Sequence, residues 1–387
     1  MFLMEHHAKA LLRQNGVVTP KGKVAETPLE AGRIAGALGV GGFAVKAQIG
    51  AGGRGLAGGV QFSDSPKDVE RHAAGMLGNR LETAQTGVRG EIVRKVFVEE
   101  RIDIDRMFYF SVLIDQNSAE PVLLFSSSGG VEFERVAAAD PGVIKHIHLK
   151  EIDWREPEAI SEILGSVGLS GNAAKSAATV VTGAIRTFFE NDALLIEINP
   201  LAVTATGEAV AVDAKMVVDG NALPRHVELE AVVSEAAVEE SERLAQENNV
   251  NFVELDGNIG LVVNGAGLGL ATLDLVVELG GRPANFMDIR TTAGSFQIAR
   301  VVQMLIERPD LKVMLVNVHG GGMTVCDTIA EALNFAYSRT GSAIPIVYRA
   351  AGQNAPWALS IMQNRKLPFR QFDNMSQAVA AAVEMAG

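Results

Sequence analysis

At 387 residues, 48% of them hydrophobic, the chain is long enough for about two to three domains with ordinary cores. Its 34 Lys and Arg against 46 Asp and Glu leave a net charge of -12, the opposite of a nucleic-acid binder, so an anionic ligand has to be held by local devices. The single cysteine, Cys326, excludes an internal disulfide and any cysteine-rich zinc or iron–sulfur site, which points to a reducing, cytoplasmic setting.

The start, MFLMEHHAKALLRQNG, has the character of neither a signal nor a transit peptide, and no apolar run is long enough to span a bilayer. Apolar residues at helical spacing run from Met4 to Gln14, and Gly16 and Pro20 then stop the helix. A second helix is expected over Pro28 to Leu38. Phe43 to Val60, FAVKAQIGAGGRGLAGGV, begins as a strand and becomes a loop with six glycines among its last eleven residues. Such a loop lets backbone amides approach an anion, and Lys46 and Arg54 add positive charge beside it. No Walker sequence is present. A plain surface loop is the competing reading.

Val93 to Glu100 reads as a strand whose end, Glu99, is either a nucleotide contact or a solvated acidic terminus. Strands follow at Met107 to Asp115 and Pro121 to Ser126, then a largely helical stretch from Pro157 to Phe189. Leu194 to Lys215, LLIEINPLAVTATGEAVAVDAK, reads as a hairpin turning at Ala205, Thr206 and Gly207. Pairing Thr204 with Glu208 puts Asn199 opposite Asp213 and Glu197 opposite Lys215, on one face because side chains alternate with period two. An amide oxygen and a carboxylate suit a hard cation such as magnesium. An edge hairpin with a solvated polar face fits the same pattern. His146 and His148 share a strand face, but no third ligand accompanies them and a solvated strand is expected.

Val227 to Asn249, without glycine or proline, reads as a solvated helical connector. Beyond Asn258, short strands at Ile259 to Val263, Pro283 to Met287, Val313 to Val318 and Ile344 to Val347 alternate with helices, the pattern of a doubly wound parallel sheet. Ligands then collect past the strand ends at Asn264 to Gly267, Asp288 to Gly294, His319 to Met323 and Arg349 to Asn354. The first end is a poor dinucleotide fingerprint, because Leu270 stands where a third glycine or alanine belongs. Gly320, Gly321 and Gly322 are expected to open a helix at about Met323, either offering free amides to an anion or making a tight turn. His319 is expected to be packed and hydrogen-bonded.

MEHHAKALL, VKAQIGAGGRGLAGGV, SSGGVEFERV, LLIEINPL with VDAK, DGNAL, LDGNIG and VNGAGL occur in this order, nearly end to end. The series resembles the ATP-grasp β subunit of the succinyl-CoA synthetase and ADP-forming acid–CoA ligase family. That resemblance implies an ATP-grasp domain over residues 1–226, a connector over 227–250 and a flavodoxin-like, doubly wound CoA-ligase domain over 251–387. It implies ATP contacts from Lys46, Gly53, Arg54, Gly55, Glu99 and Ile102, with Asn199 and Asp213 holding magnesium. Asn264, Gly321, Gly322 and Met323 would face the organic acid. A partner α subunit would carry the phosphohistidine and the CoA site, and neither nucleic acid nor membrane would be bound.

Three departures stand out. Met107 replaces an acidic residue, Arg290-Thr291-Thr292-Ala293-Gly294 replaces a glycine-rich stretch, and the loop from Gly320 to Asp327 is one residue longer and lacks an arginine. The first bears on nucleotide affinity or selectivity, and the other two imply an acid other than unsubstituted succinate, such as a hydroxylated dicarboxylate or a sulfonated acid. An NAD-linked oxidoreductase and a non-catalytic nucleotide-binding subunit are the competing functions.

Overall fold

The computed structural model describes residues 1–87, 90–234, 240–322 and 325–387. It divides into two units, Met1–Ala237 and Val238–Gly387. Strands of the first unit are β1 (Phe2–Leu3), β2 (Gly22–Ala25), β3 (Phe43–Gln48), β4 (Val60–Ser63), β5 (Arg80–Leu81), β6 (Glu91–Ile92), β7 (Lys95–Glu100), β8 (Arg106–Ile114), β9 (Pro121–Ser126), β10 (Lys145–His148), β11 (Ala193–Val203), β12 (Ala209–Ala211) and β13 (Ala214–Val218). They form an antiparallel sheet in the order β2-β7-β3-β4, a larger one in the order β1-β13-β11-β8-β9-β10 with β12 on β11, and the small β5–β6 pair.

All six residues of β3 are buried, as a strand covered on both faces requires. Helices Pro28–Leu38 and Pro66–Met76 start on matching signals: Thr27 and Ser65 accept from the amides of Glu30 and Asp68, and a proline occupies the first turn of each. Helix Gly171–Glu190 turns Ala173, Ala177, Val181, Ile185 and Phe188 into the larger sheet's core. Fully buried phenylalanines such as Phe43 and Phe110 each contribute roughly 1.5 to 3 kcal/mol of transfer free energy. The edge strand β10 carries His146 exposed and His148 half-buried, as expected of a solvated strand.

The second unit holds β14 (Val250–Glu254), β15 (Ile259–Val263), β16 (Asn285–Ile289), β17 (Val313–Gly320), β18 (Ile346–Gly352) and β19 (Phe369–Gln371). β15, β17, β18 and β19 pair in parallel, and a parallel bridge from Ile259 to Pro283 joins the β16 segment to β15. The order β16-β15-β17-β18-β19 is the 2-1-3-4-5 winding of flavodoxin-like sheets. Between β15 and β16 the buried Asn285 side chain takes the ladder's place, accepting from the Leu261 amide and donating to the Leu261 carbonyl, each at 2.9 Å.

Two expectations need correction. Val250–Glu254 is an antiparallel edge strand on β16, because its alternate residues Val250 and Phe252 are buried; the purely parallel reading missed it. The helix expected from Met323 spans Cys326–Thr340. Gly320 instead ends β17, facing Gly352, and a Cβ there would sit 2.2 Å from the Gln353 carbonyl oxygen. Packing therefore explains this glycine.

Candidate functional site

The hairpin has the expected register. The Thr204 amide donates to the Glu208 carbonyl at 2.9 Å, Gly207 takes φ +82°, and Glu197 stands opposite Lys215. Asn199 meets Asp213 through its amide and the Asp213 carbonyl at 3.3 Å. Glu197, Asn199, Asp213 and Lys215 are half-buried, whereas the intervening Ile196, Ile198, Ala214 and Met216 are buried. The return strand is broken between β12 and β13, at Val212 and Asp213. That break releases the Val212 carbonyl from the ladder, and it accepts from Lys9 Nζ at 2.6 Å and Lys46 Nζ at 2.7 Å.

Around this break lies a buried ion network. Glu5 Oε1 meets Lys9 Nζ at 2.7 Å and Lys46 Nζ at 2.9 Å, while Glu99 meets the same two lysines at 2.6 and 2.5 Å. Arg54 Nη2 lies 2.8 Å from both Glu5 Oε2 and Asp213 Oδ1, and its Nη1 donates to the Ala47 carbonyl at 2.9 Å. Three cations thus face three carboxylates. Burial alone would push the Glu5 carboxyl up, but Lys46, Lys9 and Arg54 outweigh it and hold it well below the usual range. In Glu99 burial wins over Lys46 and Lys9, and the neighbouring Glu5 adds repulsion, so its carboxyl is raised. Burial works against the charges of Lys46 and Arg54, yet the facing carboxylates raise both.

Other expected residues fall around this network. Gly55 belongs to the turn that the Gly59 amide closes on the Arg54 carbonyl at 2.8 Å, and Gly53, at φ +77°, enters it and accepts from the Ala57 amide at 3.3 Å. Earlier in the loop the Gly50 amide holds the Glu91 carboxylate at 2.9 and 3.0 Å. Ile102 lies half-buried in the link from β7 to β8. Asn199 Oδ1 accepts from the Gly130 amide at 2.6 Å, pinning the Ser128-Gly129-Gly130 turn beside the hairpin. Met107 is 42% exposed, with its sulfur 3.0 Å from where a Gly130 Cβ would be.

Asn199 and Asp213 carry hard oxygen donors on facing segments of the hairpin, bonded here to the Gly130 amide and to Arg54, and the Asp213 side chain is 33% exposed, so their chemistry fits a magnesium ion that takes its remaining ligands from water and phosphate. Among the described residues no cluster of three or more His, Cys, Asp or Glu could hold a metal.

Sequence reasoning missed Glu5, Lys9 and Glu197 as parts of this site. Glu5 and Lys9 had a signal: they share the inward stripe of helix Glu5–Gln14 with Ala8 and Leu12. Glu197 accepts from the Tyr109 hydroxyl at 3.1 Å, and burial, opposed by Lys215, raises its carboxyl.

In the second unit a cleft of about 670 Å³ opens past the ends of β15, β16 and β17, where the strand order reverses. Asn264, Asp288, Arg290, Thr291, Thr292, His319 and Gly321 are among its lining residues. Asn264 ties two strand ends together, donating to the His319 carbonyl at 2.8 Å and accepting from the His319 amide at 2.9 Å. The His319 side chain is exposed into this cleft, which corrects the expectation of a packed histidine. Gly322, at φ +60°, forms the following turn, and Met323 lies outside the described residues. The Gly265 amide, at the start of helix Ala266–Glu278, is held by Asp288 Oδ1 at 2.8 Å. Asp288 therefore braces a helix end within the chain.

The ATP-grasp domain model matches residues 2–203, and the CoA-ligase model matches residues 262–383. The succinate–CoA ligase [ADP-forming] subunit β of Anaeromyxobacter dehalogenans strain 2CP-C is 39% identical over 386 residues, covering 100% of this chain and 99% of that protein. That of Wolinella succinogenes is 39% identical over 368 residues, covering 95% and 94%. Among solved structures, the ATP citrate lyase of Methanothrix soehngenii in complex with citrate and coenzyme A has the same fold, with TM-score 0.71 at 17% identity over 99% of each chain.

Proposed function

This chain belongs to the β subunits of the ADP-forming acid–CoA ligases, with ATP as co-substrate, and from that premise we propose how its two units divide the reaction. Lys46, Gly53, Arg54, Gly55, Glu99 and Ile102 bind and orient the nucleotide, and Asn199 and Asp213 hold magnesium. That ion, when bound, neutralises phosphate charge. The acid sits in the cleft of the second unit at Asn264 and Gly321; Gly322 and Met323, the other two residues expected to face it, follow in the chain, and Met323 lies outside the described residues. A partner α subunit supplies the accepting histidine and the CoA site. The histidine takes the terminal phosphoryl group as ADP leaves, and the acid's carboxylate then takes it to form an acyl phosphate. The CoA thiol attacks the acyl carbon and releases phosphate, so one difficult transfer becomes three easier ones.

The observation that carries this reading is the convergence of the glycine loop and the hairpin: Arg54 from the loop meets Asp213 from the hairpin at 2.8 Å, and Lys46 joins through Glu5. In an ATP-grasp domain, cations and metal-type oxygens at one point are what phosphoryl transfer needs. No described helix is long and apolar enough to cross a membrane, and the lone Cys326 is buried; both accord with action in the cytoplasm.

The purified chain alone should bind ATP and form no acyl-CoA, whereas the complex with its α subunit should release about one equivalent of ADP per site from ATP alone and turn over repeatedly only when acid and CoA are both present. Lys46→Ala should weaken ATP binding at least about tenfold, roughly 1.4 kcal/mol, in a titration without acid. Acyl-CoA formed by the single chain, or ATP affinity unmoved by that substitution, would refute the division of labour.

A further inference from the structure

We propose that Arg290, steadied by Asn251 and Asp288, selects the organic acid by gripping a second anionic group remote from the carboxylate that is activated. This rests on the reading that the cleft past β15, β16 and β17 takes the acid.

Arg290 follows β16 and lines the cleft with Thr291 and Thr292. Its Nε and Nη2 both donate to a single acceptor, Asn251 Oδ1, at 2.9 and 2.7 Å. A guanidinium has five N–H donors, so most of its capacity, including all of Nη1, is left over. Among the described residues no carboxylate lies within ion-pair distance of it, so no salt bridge occupies its free donors. An exposed arginine normally spreads over many rotamers; two bonds to one fixed acceptor remove much of that freedom before any ligand arrives.

The acceptor is itself fixed. Asn251 Nδ2 donates to Asp288 Oδ2 at 3.0 Å, and Asp288 Oδ1 is occupied by the Gly265 amide at 2.8 Å. The neutral amide thus stands between Asp288 and Arg290 and keeps the one carboxylate lining the cleft from cancelling the arginine. Asn251 comes from β14, the edge strand outside the five parallel ones, which gives that strand a role in the site.

The Asn264 clasp and the exposed His319 line the same cleft from the ends of β15 and β17. Arginine meets a carboxylate or sulfonate through parallel hydrogen bonds, and the Thr291 and Thr292 hydroxyls beside it suit a polar substituent on the intervening carbons. The ligand class is a short acid with two anionic ends, a dicarboxylate or a sulfonated carboxylate, rather than a simple fatty acid.

The test uses the assembled complex, with acyl-CoA formation measured for succinate, malate, sulfopropionate and the single-ended butyrate. The parent should favour the best doubly anionic acid over butyrate by at least tenfold in kcat/KM. Arg290→Ala should lower kcat/KM for that acid tenfold or more while changing butyrate less than threefold, and Arg290→Lys should restore part of the gap. Asn251→Ala should raise KM for the doubly anionic acid with kcat little changed, the signature of a positioning residue. ADP formation without acid should be unaffected in all three variants. Equal losses on both acid types would overturn the proposal. Asn264→Ala separates the two ideas: if it raises KM for every acid while Arg290→Ala is silent, the cleft reading stands and the arginine does not select. If Asn264→Ala leaves every KM unchanged, the cleft reading itself fails.

Discussion

Arg54 and Arg290 are set in opposite ways. Arg54 is buried and faces two carboxylates, Glu5 and Asp213, whereas Arg290 is exposed and rests on a neutral amide oxygen. A charge removed from water must be neutralised where it sits, because the desolvation penalty is several kcal/mol per ion. A charge meant to grip an anion in a cleft needs donors left over, and solvent makes that tolerable. The first unit therefore holds its cations in a balanced network of three against three, and the second holds its arginine by geometry alone. Charge balance makes the first site sensitive to the loss of a fully buried member such as Glu5, while the second should lose selectivity without losing fold.

The comparison can be broken most sharply at Glu5. Glu5→Ala leaves Lys9, Lys46 and Arg54 facing only Glu99 and Asp213, and breaking a buried network of this kind costs about 3 to 5 kcal/mol, readable in urea denaturation. Because the folded carboxyl is held below its ordinary range, the stability it adds is full above that range and is lost as pH falls toward the folded value. The deficit of the variant should thus shrink in acid. A deficit under about 1 kcal/mol at neutral pH would mean that the network is not tightly coupled.

Asp213→Ala comes next. Acyl-CoA formation by the assembled complex should drop at least about 100-fold, some 2.7 kcal/mol, while stability falls by about 1 kcal/mol or less, since the side chain is one-third exposed and Arg54 keeps Glu5 and the Ala47 carbonyl. Near-parent turnover would remove the hairpin carboxylate from the chemistry.

Glu197 gives a smaller, pH-dependent effect. Its carboxyl is raised by burial, so between the ordinary carboxylate range and the folded value the native state holds the extra proton, and stability declines as pH rises through that window. Glu197→Gln has no such titration and can still accept from Tyr109. Its melting temperature should gain on the parent as pH rises, by on the order of 2 °C. A gap that widens in acid instead would have the sign wrong.

The smallest effect is expected from Arg290→Ala, within about 0.5 kcal/mol of the parent in stability. A loss comparable to that of Glu5→Ala would place Arg290 among structural charges and erase the contrast.

Local features were legible because their physics is local. The hairpin register follows from one turn and a period of two, so Asn199 and Asp213 could be aligned by counting. The alternation of short strands and helices after Asn258 was likewise enough for a parallel, doubly wound sheet, and residue order along the chain carried the family resemblance. The partners of the charges were not legible. Lys46 meets Glu5 from 41 positions away, Lys9 meets Glu99 from 90, and Arg54 meets Asp213 from 159. Pairing over such spans depends on how sheets are brought together, and a carboxylate's neighbours in sequence do not report it. The same holds for Asn285, which reads as a polar residue in a strand and turns out to bridge β15, and for Asn251, whose strand was not expected. The sequence by itself determined the strands, the turn and the donor types, because backbone geometry repeats every few residues; only the tertiary structure decided which cation is spent on a buried carboxylate and which is left for a ligand, because that choice is made by burial.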